Sequence, residues 1–269
     1  MLKHGCYAWV AGFLLLLAGC SYTAESRLKM ASELSQKASW QHQAFYDKNL
    51  SLEIFLPQMP VKSDLVNIFI EGDGLAWLSK STPSQNPTPV DPIALKLALN
   101  TGGASAYIGR PCQYNNSARE CANNKWWTSH RFAPEVIQIT NAAIDKIKAA
   151  YGAKNVVLVG YSGGGAVAAL VASKRDDVEK LITLAGNLDT DKWVEIHGIK
   201  PLSGSLNPAD KWQNLQNILQ THYVGADDKV IPRAVAESYV AKFPSDKKPE
   251  IRLVQGYSHQ CCWADMKGF

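Results

Sequence analysis

Apolar positions along the chain fall into short runs that alternate between two periods. "LSLEIFLP" (Leu50–Pro57) predicts an outer strand and "LVNIFIEG" (Leu65–Gly72) a buried one. "ASAYIG", "NVVLVG", "KLITLAG", "THYVGAD" and "EIRLVQGY" follow as further strand candidates. The β-branched run from Asn155 reads as a central strand, because strands of a parallel sheet are buried on both faces. Between these runs the spacing turns helical. "DPIALKLALN" (Asp91–Asn100) offers an N-cap aspartate and a proline at the first helical position. Residues 133–152 place Val136, Ile139, Ala143, Ile144 and Ile147 on one side and close at Gly152. "AVAALVASK" predicts a small-residue helix and "AVAESYVAKF" another. Strand and helix alternate at crossover spacing, which predicts an α/β fold: a mostly parallel central sheet with helices on both faces. The proline-containing stretch "KSTPSQNPTPVDP" and the insertion at 188–212 have no clean period and leave from carboxyl ends of strands. That is where open sheets bind ligands, so they are expected to form a short, loop-rich rim.

The first twenty residues break this pattern. "MLKHGCYAWVAGFLLLLAGC" carries Lys3, an apolar run from Tyr7 to Ala18 and small residues before Cys20, an export signal too short for a comfortable membrane span. Its ending, "LAGC", resembles the bacterial lipobox. The resemblance implies removal of residues 1–19 and lipidation of Cys20. Ser21 in the next position resembles an outer-membrane address of Gram-negative bacteria. Residues 20–47 are then expected to be a lipidated tether with an early helix, and 48–269 the folded domain. Export permits oxidation of the remaining cysteines, Cys112, Cys121, Cys261 and Cys262. Cys112 and Cys121 flank a polar loop suited to a staple, but four cysteines allow three pairings.

Composition adds exclusions. Of 269 residues, 46% are hydrophobic and 19% charged, which argues against disorder. The formal charge of +4 is spread without a Lys/Arg block, so nucleic acid is not an expected partner.

Candidate chemistry centres on "KNVVLVGYSGGGAVAALVA" (Lys154–Ala172). Gly160-Tyr161-Ser162-Gly163-Gly164 is a G-x-S-x-G motif between a predicted strand and a predicted helix, the context it requires. A serine exposed on so tight a turn needs neighbours without side chains two positions away, hence Gly160 and Gly164. A serine also needs a base, and the base an orienting acid. Of six histidines, His259 alone lies just beyond the last strand. His130 and His197 are rim candidates, and His222, inside a strand pattern, is expected to be structural. For the acid, Asp227 and Asp228 stand at the end of a strand, with Asp189 a weaker candidate. The Gly163 N–H is one expected oxyanion donor. "IEGDGLAW" supplies the other from Asp73 or Gly74, while metal binding by Glu71 and Asp73 is the competing reading. Trp77, Trp193 and His197 are expected at the substrate rim, with Trp212 as a further wall.

With "GYSGG" after a strand, "GADDKVIP" and "GYSHQ", the chain resembles the α/β-hydrolase superfamily over roughly residues 48–269. "GADDKVIP" is similar to that family's G-x-x-D-x-V-x-P pattern, which implies Asp228 as the acid of a Ser162–Asp228–His259 triad. The family's frequent histidine-glycine pair is replaced by Glu71-Gly72, so the second oxyanion donor stays open. The signal and the stretches "GRPCQY" and "RFAPEVI" also resemble lipoprotein hydrolases of Gram-negative bacteria. The implied activity is acyl transfer on a small carboxylic ester without metal or organic cofactor. Thioesterase, lipase and peptidase chemistry use the same triad, and a non-catalytic envelope-binding protein is the alternative of another class.

Overall fold

The computed structural model describes residues 23–115 and 119–268. The signal segment, Cys20 and Ser21 lie outside the described residues. One mixed sheet of eight strands runs in the order β1-β2-β4-β3-β5-β6-β7-β8. Its strands are β1 (Trp40–Asp47), β2 (Leu50–Pro57), β3 (Leu65–Ile70), β4 (Ser105–Ile108), β5 (Asn155–Tyr161), β6 (Val178–Leu184), β7 (Leu219–Gly225) and β8 (Glu250–Val254). β2 is antiparallel to both β1 and β4, and every pairing from β4 through β8 is parallel. This is the mostly parallel sheet that the alternation predicts.

Helices α1 (Ala24–Lys37) and α2 (Ile93–Asn100) cover one face, and their residues share a core with Phe69, Tyr107, Val159 and the fully buried Trp263. On the other face α3 (Pro134–Tyr151), α4 (Gly163–Ala172) and α7 (Arg233–Val240) enclose a second core with Ile54, Ile68 and Leu158. α3 ends as its sequence predicts, with Gly152 left-handed at φ 66°. All ten residues of α4 are buried, which explains its run of small side chains: it packs tightly on the sheet beneath α3.

Several expectations need correction. Residues 40–47, expected in the tether, form the edge strand β1, so Leu50–Pro57 is the second strand from the edge and is buried. His42 lies within β1. Asp91 does not cap α2. Pro92 holds the cap position without a side-chain hydrogen bond, and Asp91 pairs with Lys96 instead. The insertion at 188–212 contains α5 (Thr190–His197), capped by Asp189 and closed by left-handed Gly198, and then a 3-10 turn at Pro208–Lys211. α6 (Trp212–Leu215) follows. Trp212 packs on Phe243 in the core beside α7, not at the rim. Cys112 pairs with Cys121 across Cα atoms 5.6 Å apart, and the sulfurs of Cys261 and Cys262 meet each other. Among the described residues no helix is long and apolar enough to cross a membrane.

Candidate active site

The parallel strands point their carboxyl ends to one rim. Ile70 of β3 lies beside Gly160 of β5, Tyr161 beside Leu184 of β6, Leu184 beside Tyr223 of β7, and Gly225 beside Val254 of β8. Residues distant in sequence therefore converge above β5. Ser162 turns the chain from β5 into α4 with φ 52° and ψ −122°, a conformation that non-glycine residues adopt at a cost. Its N–H donates to the Leu184 carbonyl at 2.9 Å, which ties the turn to β6.

The glycines make this turn possible. A Cβ at Gly160 would lie 2.4 Å from the Gly164 carbonyl oxygen, and one at Gly164 would lie 2.2 Å from the Ile70 carbonyl oxygen. Both obstacles are backbone, so Gly164→Ala must move α4 off β3. It is expected to cost about 3 kcal/mol, the upper end for overpacking. That corresponds to a fall of roughly 6–12 °C in Tm for a domain of this size. Thermal unfolding checks this, and an unchanged Tm would contradict the close approach.

His259 Nε2 lies 3.0 Å from Ser162 Oγ, and His259 Nδ1 lies 2.9 Å from Asp228 Oδ2. The Asp228 side chain is fully buried, and its Oδ1 accepts the Val230 and Ile231 N–H groups at 2.8 Å each. The loop after β7 thus fixes the carboxylate, the carboxylate fixes the imidazole, and the imidazole meets the serine. Tyr161 adds a support that sequence reading missed: its OH donates to the His259 carbonyl at 2.7 Å. The other candidates stand elsewhere. Asp227 is exposed. Asp189 accepts from Lys192 N–H and the Ser238 hydroxyl. His222 is fully buried against Thr183, its pKa pushed down to about 3 by burial, in keeping with a structural part. His130 is paired with Ser129.

At the start of α4 the Gly163 N–H is one of the donors a helix cannot satisfy internally. Across from it, Gly74 is left-handed at φ 62°, and among the described residues neither the Asp73 nor the Gly74 N–H has a hydrogen-bond partner. The Gly72 N–H is taken by Glu71 Oε1 at 2.9 Å. Two arginines hold the Asp73 carboxylate: Arg110 Nη1 donates to Oδ1 at 3.1 Å and Arg131 Nη1 to Oδ2 at 2.7 Å. Burial pushes the Asp73 pKa up, but Arg131 and Arg110 together hold it below the usual range. This pairing displaces the metal reading, since the carboxylate is committed to guanidinium groups.

Glu71 is buried among the Gly72 and Ala94 N–H groups and the Tyr107 hydroxyl. Burial pushes its carboxyl from 4.5 up to about 7, against these donors. A carboxyl with a raised folded pKa stabilises the fold below its unfolded value, and that contribution is lost as pH rises from 4.5 through 7. Glu71→Gln is therefore expected to lose less stability than the parent between pH 5 and pH 8. Urea midpoints at the two pH values test this, and equal losses would contradict it.

A cleft of about 450 Å³ opens over Ser162 and His259, walled by Trp77, Val90, Ile93, Trp193 and Ile231. Trp77 and Trp193 both line this cleft. His197 does not line the cleft: it contacts the Val230 carbonyl, to which the Trp193 indole also donates, so it braces the rim from behind. A second cleft of similar size, at Leu34, Lys96, Asn100 and Asp265, shares Asp91 and Gln260 with the first but is not lined by Ser162 or His259.

A family profile described as "alpha/beta hydrolase fold" matches residues 114–203. A search of curated proteins gives no match. Among solved structures, the chain is similar to an alpha-beta serine hydrolase homologue from Coxiella burnetii at 14% identity, with a TM-score of 0.54, covering 81% of this chain and 88% of that one. It is also similar to Est1E from Butyrivibrio proteoclasticus at 15% identity and TM-score 0.56, covering 84% and 91%. A Xanthomonas campestris a/b serine hydrolase without lid gives 13% identity and TM-score 0.52, covering 82% and 86%.

The chain has the α/β-hydrolase fold.

Within that fold the hydrogen-bonded serine, histidine and buried aspartate have the geometry of a serine hydrolase. An imidazole so placed can take the serine proton as Oγ attacks a carbonyl, and donors at Gly163 and the Asp73–Gly74 turn can receive the oxyanion.

Proposed function

We propose that this chain is a lipid-anchored serine esterase acting on carboxylic esters of short to medium acyl length. The observation that carries the reading is the continuous relay from Ser162 Oγ through His259 to buried Asp228. In this reading His259 Nε2 accepts the Ser162 proton as Oγ bonds to the ester carbonyl carbon. The tetrahedral oxyanion rests on the Gly163 N–H and on the Asp73 or Gly74 N–H. His259 then passes the proton to the departing alkoxide, and the acyl-serine forms. Water, deprotonated by His259, completes the cycle. Asp228 keeps the proton of the resting imidazole on Nδ1 throughout.

Chain length follows from the rim. α5 has only eight residues and is braced against Val230, and it leaves the cleft open beside Trp77 and Trp193. A rim this short is no mobile lid, which the likeness to a serine hydrolase without lid supports. Rates on p-nitrophenyl esters of rising length should peak at short to medium chains and pass smoothly through the solubility limit. A sharp rise once droplets form, with a preference for long chains, would favour a true lipase instead.

The anchor rests on "LLLLAGC". Cleavage before Cys20 and acylation on it would give an outer-membrane lipoprotein that salt does not release, since several acyl chains anchor firmly where one does not. Export would also suit oxidised pairs at Cys112–Cys121 and Cys261–Cys262. Intact mass of the mature protein is expected to show the added acyl groups and to lose them in Cys20→Ser. An unmodified Cys20 would remove the membrane assignment.

A further inference from the structure

Beside the oxyanion turn the chain buries more positive charge than one carboxylate can balance. Arg110, just after β4, and Arg131, just before α3, expose only 4% and 6% of their side chains. Their one shared anion is Asp73. Arg110 is enclosed: Nη2 donates to the Arg131 carbonyl, and the guanidinium lies over Phe132. Glu71, the other carboxyl close to Arg110, is pushed up to about 7 by burial and is occupied with Gly72 and Tyr107.

Arg131 differs because it lines the cleft. Its Nε donates to the Thr128 carbonyl at 2.7 Å and its Nη1 to Asp73, while the guanidinium stands 5.7 Å from the Trp193 ring centre. Among the described residues Nη2 has no hydrogen-bond partner, yet it is not among the sealed, unpartnered polar atoms. A guanidinium held rigid on two sides therefore keeps one donor edge in contact with the cleft. A cationic donor held in this way suits a carboxylate oxygen, because it is already oriented. Leu75, Trp77, Val90 and Ile231 give the cleft an apolar stretch that suits a short hydrocarbon spacer, while Asp91, Asn187 and Gln260 also line it.

Position relates this edge to the acyl part of a substrate. The leaving group must face His259, which protonates it. Arg131 contacts neither His259 nor Asp228; it reaches the centre through Asp73, whose Oδ1 would lie 2.1 Å from a Cβ at Gly163.

We propose that Arg131 is a specificity-determining residue that binds a carboxylate on the acyl chain, so that preferred substrates are monoesters of short dicarboxylic acids. The proposal rests on the esterase reading above. Asp73 positions the guanidinium, and Arg110 supplies the charge that keeps Asp73 from neutralising it.

The test compares kcat/KM for 4-nitrophenyl hydrogen glutarate and 4-nitrophenyl valerate, two five-carbon acyl groups that differ in a terminal carboxylate. The wild type is expected to favour the glutarate about tenfold, the scale of one charge-assisted contact. Arg131→Met is expected to bring the ratio to one or below, mainly through KM on the glutarate. Arg131→Lys, which keeps the charge but not the fixed Nη2 donor, should retain part of the preference. Raised salt on the wild type should erode the glutarate preference and leave valerate hydrolysis in place. A wild type that favours valerate, or a ratio that Arg131→Met does not move, would overturn the proposal while leaving the esterase reading intact. A wild type that hydrolyses neither ester would overturn the esterase reading itself.

Discussion

Ser162→Ala is expected to reduce ester hydrolysis by about 10⁶-fold in kcat, leaving only the residue that an oxyanion site and binding provide. The size of the loss follows from what the hydroxyl does. It is the nucleophilic oxygen that forms the acyl bond, and it stands 3.0 Å from its base, His259 Nε2. Without it, His259 and the oxyanion donors can still hold an ester and polarise its carbonyl, but no acyl-enzyme forms. The fold should survive, because among the described residues the side chain makes no other hydrogen bond: the turn is held by the Ser162 backbone, with its N–H on Leu184 and its carbonyl accepting from Gly165 and Asn187. Steady-state rates on one soluble ester, with circular dichroism beside them, test both parts. Residual activity within tenfold of the parent would contradict the assignment.

Asp228→Asn should cost roughly 10³–10⁴-fold, and Asp227→Asn less than about twofold. The contrast comes from the hydrogen bonds at position 228. Oδ1 accepts two backbone N–H groups, from Val230 and Ile231, so an asparagine must keep its carbonyl oxygen there. Its NH₂ group then faces His259 Nδ1, where Asp228 Oδ2 accepts at 2.9 Å. A donor in that place favours the tautomer with the proton on Nε2, which cannot accept from Ser162. Among the described residues Asp227 makes no such contact: its side chain is exposed, and its backbone N–H donates to the Tyr257 carbonyl. Purified variants compared on one ester measure the difference. Equal losses would place the orienting acid elsewhere.

The parts of this site that can be read from sequence are those carried by local patterns. β5, the Ser162 turn and α4 follow from a β-branched run, glycines at fixed offsets and a run of small residues, and the structure shows the close backbone contacts behind those glycines. Asp228 and His259 are legible as turn residues after strands, and the parallel sheet then brings those strand ends together. β1 escaped because its pairing to β2 is an edge pairing with a mixed burial pattern, so no clean alternation marks it. α5 was in principle readable from Asp189 and Gly198, a cap and a left-handed stop only two turns apart; its short apolar face hid it. Asp91 has the chemistry of a cap, but Glu71, just after β3, reaches the first turn of α2 instead. The arginine pair on Asp73 bridges 37 and 58 residues of sequence, and nothing local marks it. Such contacts are set by topology, and only the assembled sheet shows them.

Labelling with a fluorophosphonate probe tests the central claim most directly, because the probe reports an activated serine whatever the natural ester is. The folded wild type is expected to take up one probe per chain at Ser162, with Ser162→Ala unlabelled. Equal labelling of the two, or a folded wild type that takes up none, would contradict the account.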